Sequence, residues 1–328
     1  MIKEIDKNMK DSTNSVDEVK WIDLNNQYLR GLAFSNNFSR LDKNHFVSEN
    51  VRYLQKHPSG VNITFKTNAK VIKIKAEVDN VSYMSHMTAI GQIGFDLYYL
   101  YEDKFVFVAT TKINQKSYEV TLLNNLDETE KTFRLYFPLY IGVNEAKIGI
   151  NNDANLKFYK PQQEKIVIYG TSISQGGCAT RPGMSYSNIL DRMTNYEFIN
   201  LGFSGSAHLE EEMAYILKSI PKKYLILEVE ANNTTKSLQE KLPKFLDILK
   251  DEKIILISHF PHPQVLLYPD LKSAFDINFE FQKQFNNLTF IDGKEMLKEF
   301  NYDETVDTTH LTDLGFYFVA KYLKDYLK

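Results

Sequence analysis

The chain has 328 residues, 43% hydrophobic and 25% charged, an ordinary globular composition that excludes a disordered chain. Its 39 basic and 42 acidic residues leave a net charge of −3, so no basic field draws in nucleic acid. The single cysteine, Cys178, excludes an intramolecular disulfide and a cysteine-rich metal cage; no apolar run approaches the roughly 18 residues that span a bilayer.

Residues 1–20 are polar, with no apolar core and no small-residue cleavage site of the kind a secretory signal needs. They read as a polar tail, and the expected location is cytoplasmic. From 21 to 160 the chain shows short β-type runs broken by turn residues. These runs are 61–65, 71–78, 105–108, 117–122, 132–137 and 146–150, several alternating apolar with polar. Such spacing predicts an N-terminal β-sandwich domain.

After Lys160-Pro161 the pattern changes. Strands are predicted at 165–169, 197–201, 224–229, 253–258 and 288–291. Helices are predicted at 186–193, 209–219, 237–250, 271–285 and 312–327. Strands alternating with helices predict a parallel sheet covered on both faces, here an α/β doubly wound, flavodoxin-like domain over 161–328. In such sheets ligands bind beyond the carboxyl ends of the strands.

Three of those ends carry chemistry. Gly170-Thr-Ser172-Ile-Ser-Gln-Gly-Gly177 follows the first strand. It lacks the Gly-Lys-Ser/Thr of a Walker loop, and Ser174 stands where a nucleophile elbow has its second glycine. Alone it reads as a helix start. Asn200-Leu-Gly202-Phe-Ser-Gly205 follows the second strand, and alone reads as a turn. Asp307-Thr-Thr-His310 precedes the last helix, and alone reads as a helix cap beside a surface histidine. Together they change meaning. An acid three residues from an imidazole can take its Nδ1–H, which frees Nε2 to accept a proton from a serine. The order Ser…Asp…His is a known triad order. Asn232, after the third strand and beside Asn233, adds an amide able to donate to an oxyanion.

These four blocks resemble the SGNH (GDSL-like) hydrolases: serine, glycine, asparagine and Asp-x-x-His in order. The stretch Gly170-Thr-Ser-Ile-Ser-Gln-Gly-Gly-Cys-Ala-Thr-Arg-Pro-Gly-Met184 resembles one branch of that superfamily. Gly94-Phe-Asp-Leu-Tyr98 resembles the Gly-x-Asp-Leu-Tyr motif of the same branch's N-terminal β-domain. The resemblance implies Ser172 as nucleophile, His310 as general base and acid, and Asp307 as its orienting partner. It implies oxyanion donors from the Ser172 N–H, the Gly205 N–H and the Asn232 side chain. No metal and no cofactor is implied. The sequence departs at 228–232, Glu-Val-Glu-Ala-Asn, where the branch tends to have Asp-Cys-Leu-Pro-Asn.

Other residues keep two readings. Arg181 either orients the substrate or pairs with a carboxylate. Asp96 either reaches across to the site or holds a turn in the β-domain. Both are candidate substrate contacts. His259 and His262 lack a third ligand at usable spacing and read as a loop at the site mouth. Cys178 reads as a buried small apolar residue. The implied activity is a serine esterase removing small acyl groups, acetyl foremost, from a carbohydrate. The implied partner is an acylated small molecule or carbohydrate, with no nucleic acid and no membrane. The alternatives are a lipid esterase, phospholipase-like enzyme or thioesterase, and a glycan-binding protein without activity.

Overall fold

The computed structural model describes residues 6–25, 27–34, 37–160 and 163–328. The predicted change of pattern at Pro161 lies outside the described residues.

Alternation builds the N-terminal half. Strand Ile72–Val78 buries Ile74, Ala76 and Val78 and exposes Lys75 and Glu77, so one face points inward. It sits in a four-stranded antiparallel sheet with Val19–Asp23, Val143–Asn151 and Ser117–Leu123. A second antiparallel sheet runs in the order Lys104–Thr110, Asp96–Tyr101, Lys131–Tyr136, Asn62–Thr67 and Leu156–Tyr159. Apolar side chains of both sheets, including Ile63, Phe65, Ile74, Leu97, Leu135 and Ile148, form one core. The N-terminal half is therefore antiparallel β, as expected. Its polar lead-in is less free than a tail: Ser12 N donates to Lys112 O (2.8 Å), and Val19–Asp23 is a strand.

The C-terminal half is a parallel sheet in the order Glu197–Gly202, Lys165–Gly170, Tyr224–Glu228, Ile254–Ile257 and Thr289–Ile291. In sequence order this is 2-1-3-4-5, the flavodoxin-like arrangement. The first strand lies inside the sheet, so its carboxyl end lies between those of the second and third. Apolar layers cover both faces, one containing Val167, Leu201 and Leu227, the other Ile168, Ile226 and Ile257.

The two halves interlock. Leu41, Val51 and Leu54 come from the N-terminal half yet pack in the core of the α/β half. The fully buried Arg40 guanidinium donates to Asn200 O (3.1 Å), Gly202 O (2.6 Å) and Leu54 O (2.9 Å). Asp191, on helix Tyr186–Met193, accepts from Arg30 (2.9 Å), Arg134 (2.7 Å) and the Tyr136 hydroxyl (2.6 Å). Burial alone would raise the Asp191 carboxyl; the Arg134 and Arg30 charges overcome this and hold it below the usual range.

Candidate active site

The chain leaves the first parallel strand at Gly170 and turns at once into the short helix Ser172–Gln175. Thr171 caps it, its hydroxyl accepting from Ile173 N (3.2 Å). Ser172 is the first helical residue, so its own N–H has no intrahelical partner. Buried Glu228, at the end of the neighbouring strand, steadies the turn from below. Its Oε2 accepts from the Thr171 hydroxyl (2.7 Å), the Thr171 N–H (3.2 Å) and the Ser174 hydroxyl (2.9 Å). Desolvation pushes the Glu228 carboxyl up to about 7 against those hydrogen bonds. Ser174 therefore has a structural role that a glycine could not fill.

The closing loop reaches back over this turn. His310 Nε2 lies 2.8 Å from Ser172 Oγ, and His310 Nδ1 lies 2.7 Å from Asp307 Oδ2. Asp307 Oδ1 also accepts from the backbone N–H of His310 (2.8 Å) and of Thr309 (3.2 Å). Burial pushes the Asp307 carboxyl up, but these bonds outweigh it and hold the group below its usual range. An ionised Asp307 can only accept, so Nδ1 carries the ring proton and Nε2 accepts from the serine hydroxyl. Thr308 pays for the tight turn with a φ of 73°, in the left-handed region.

The loop after the second strand supplies donors. Gly205 has a φ of 62° with open space where a Cβ would stand. Phe203 N donates to Gly170 O (2.8 Å), which fastens this loop to the serine turn. Gln175, fully buried, accepts from Ser204 N at 2.9 Å. Among the described residues, the Ser172 and Gly205 N–H groups have no protein acceptor. Asn232 is satisfied when its Oδ1 accepts from Ser206 N (3.0 Å) and Ala207 N (3.1 Å), which leaves Nδ2 to donate on the opposite side. Asn233 has no such freedom. Its Nδ2 donates to Ala207 O (2.9 Å) and Val229 O (2.8 Å), and its Oδ1 accepts from Ser237 Oγ (2.9 Å).

This geometry can pass a proton from a serine to an imidazole and gather N–H groups beside it. Residues 163–328 match the model of the GDSL-like lipase/acylhydrolase family, and residues 19–156 match that of the N-terminus of SGNH-hydrolase-type esterases, the GxDLY domain. The chain belongs to the GDSL-like lipase/acylhydrolase family. Membership supports an esterase. Among solved structures, this GDSL-like chain is similar to a Bacteroides ovatus protein described as a GDSL-like lipase. That similarity has 30% identity and a TM-score of 0.88, covering 94% of this chain and 97% of that one. It shares its fold with a salicylyl-acyltransferase from a tetracycline biosynthetic pathway at 17% identity and TM-score 0.72, covering 92% and 95% of the two chains. It also shares its fold with an acetyl xylan esterase from the rumen bacterium Butyrivibrio proteoclasticus at 12% identity and TM-score 0.54, covering 94% and 97%. No curated protein matches the GDSL-like chain.

Arg181 and Asp96, expected as candidate substrate contacts, instead meet each other. The Arg181 guanidinium donates to Asp96 Oδ2 (2.8 Å) and the Tyr98 hydroxyl (2.6 Å) and lies 3.7 Å from the Phe107 ring centroid. Asp96 also accepts from Gly183 N (2.8 Å). Asp96 and Tyr98 of the GxDLY motif thus clasp the segment that follows the serine turn. The carboxylate-pairing alternative describes Arg181, and Asp96 spans the two halves without lying open to a substrate.

His259 and His262 border a cavity of about 190 Å³ beside Ile173, Phe275 and Thr308. The His259 ring stacks on Phe275 with centroids 4.2 Å apart. Glu230, buried behind it, accepts from His259 N (2.9 Å), Asn278 (3.0 Å) and Gln282 (2.6 Å). Cys178 is buried, and burial with the nearby Asp307 charge pushes its thiol up to about 12. No described helix is long and apolar enough to cross a membrane.

Proposed function

We propose that this chain is a serine esterase that removes small acyl groups, acetyl foremost, from a carbohydrate. The observation that carries the reading is the continuous hydrogen-bonded line from Ser172 Oγ through His310 to Asp307 at the carboxyl edge of the sheet. His310 Nε2 takes the hydroxyl proton as Ser172 Oγ attacks the ester carbonyl. Negative charge then develops on the carbonyl oxygen. The N–H groups of Ser172 and Gly205 and the Asn232 amide hold it. Protonated His310, oriented and stabilised by Asp307, gives its proton to the leaving alcohol. Water repeats the sequence on the acyl-enzyme and returns free Ser172.

Support for the polar alcohol comes from the neighbouring cavity. His259, Asn278 and Thr308 supply hydroxyl-binding groups, Glu230 holds His259 and Asn278 from behind, and the Phe275 ring supplies an apolar face. A longer acyl or lipid ester is the second reading. It is favoured by Leu266, Leu267 and Tyr268, which stand 70%, 74% and 56% exposed just past His262. The experiment that separates them is initial hydrolysis of p-nitrophenyl acetate, butyrate and octanoate by this chain and by Ser172→Ala. Rapid acetate turnover that falls with chain length and vanishes in the variant is the expected result, followed by trials on acetylated sugars. Octanoate preference moves the assignment to the lipid reading. No turnover of any ester refutes the esterase.

A further inference from the structure

One cysteine excludes a cysteine cage, but it does not exclude a mixed donor set. His86, Cys178, Asp307 and His310 each present one ligand atom, and these four atoms all lie within 4.8 Å of one another. They come from three separate segments. His86 is exposed on the loop 79–88 of the N-terminal half, Cys178 follows the serine turn, and the other two belong to the closing loop. The loop is held in place and not merely nearby. The side chain of Gln92 accepts from Tyr83 N (3.0 Å) and Met84 N (3.1 Å) and donates to Met84 O (3.1 Å) and Met87 O (2.8 Å). Thr88 Oγ1 then donates to Thr180 O (2.5 Å), which ties the loop to the segment bearing Cys178. The His86 and His310 rings end with centroids 5.8 Å apart.

We propose that these four residues form a binding site for a thiophilic divalent cation of the Zn²⁺ class, and that filling it shuts the esterase off. Two imidazoles, a thiolate and a carboxylate suit Zn²⁺ in number and softness. Zn–N bonds of about 2.0–2.1 Å and Zn–S of about 2.3 Å place tetrahedral donors roughly 3.3–3.8 Å apart. The donor atoms, now within 4.8 Å of one another, must therefore draw together by up to about 1 Å. The cation bonds to Cys178 Sγ and the thiol proton leaves to solvent. Both ring nitrogens of His310 already have partners, Asp307 and Ser172. A cation on Nε2 removes the base outright. A cation on Nδ1 displaces the proton held there and breaks the bond to Asp307; the proton passes through solvent to Nε2, which then cannot accept from Ser172. Either way turnover stops.

The inhibitory half of this proposal rests on the esterase reading; the binding half does not. The test is titration of the reduced, chelator-treated chain with Co²⁺, followed by displacement with Zn²⁺. The expected result is a thiolate-to-cobalt charge-transfer band that saturates at one equivalent and is absent in Cys178→Ser. His86→Ala, a change at an exposed position, weakens cobalt binding at least tenfold. It keeps basal p-nitrophenyl acetate turnover but needs at least tenfold more Zn²⁺ for half-inhibition. No band at one equivalent, or a band of equal affinity in His86→Ala, overturns the site. Stoichiometric binding with full turnover overturns the shut-off. A normal cobalt titration on a chain that hydrolyses no ester upholds the site and refutes the esterase instead.

Discussion

Two adjacent asparagines follow the third parallel strand, and their hydrogen bonds divide the work between them. With its carbonyl oxygen on Ser206 N and Ala207 N, Asn232 has its Nδ2 free for the oxyanion proposed above. Asn233 spends all its polar atoms on the protein. Removing one oxyanion donor costs about 2.7–4 kcal/mol of transition-state stabilisation, or roughly 10²–10³ in kcat. Asn232→Ala therefore loses kcat by that factor with little change in KM. Asn233→Ala removes the side-chain donor to the Ala207 carbonyl and the shorter of two donors to the Val229 carbonyl, at about 1–3 kcal/mol of stability. Its kcat falls less than about tenfold, because Nδ2 of Asn232 stays in place. The assay is steady-state p-nitrophenyl acetate hydrolysis paired with a thermal melt of each variant. A large kcat loss in Asn233→Ala with a near-normal Asn232→Ala refutes the division. Equal kcat losses at unchanged stability refute it too.

Asp307→Asn keeps the shape of the closing loop but lets the ring adopt the wrong tautomer, so kcat drops by about 10³–10⁴ while the fold persists; an unchanged kcat refutes the Asp307 role. Asp191→Asn strands the buried Arg30 and Arg134 guanidinia, at about 3–5 kcal/mol. At about 2 °C per kcal/mol, for a chain at the large end of the known range, the melting temperature falls by roughly 6–10 °C. Because folding lowers the Asp191 carboxyl, its stabilisation is present above the unfolded value of 3.8 and is lost as pH falls below it. An acid-unfolding comparison with Asp191→Asn reads this directly. Glu228 has the opposite sign. Folding raises it from 4.5 to about 7, so its contribution is full below 4.5 and is lost as pH rises toward 7. Glu228→Gln flattens that decline in denaturant titrations between pH 5 and pH 8, and a parallel decline in both proteins refutes the linkage.

What the sequence made legible was local. Helix Tyr186–Met193 has the predicted bounds, and each predicted parallel strand forms within one or two residues of its expected ends. The serine, the Asp-x-x-His turn and the glycine loop were readable because they sit at strand ends whose direction the alternating pattern sets. Strand Asp96–Tyr101 was not predicted, because its Asp-Leu-Tyr-Tyr-Leu-Tyr run does not alternate and its buried Asp96 has its partner on another element. The short helices Glu49–Leu54 and Ala89–Ile93 are each under two turns and carry no readable period. Arg30, Arg40, Asp191 and His86 gave no signal, since each acquires its meaning from a residue far along the chain.

Arg40 and Gly202 are bonded across 162 positions. At roughly 5–20 residues per second, a ribosome takes on the order of 8–32 s to deliver the second after the first. Through that interval the β-sandwich can close, because its strands end at Tyr159. The guanidinium of Arg40 still lacks its two acceptors on the second parallel strand, and the apolar side chains of Val51 and Leu54 lack the core they join. A short stretch of the N-terminal half is thus held open, within reach of chaperones, until the second parallel strand arrives.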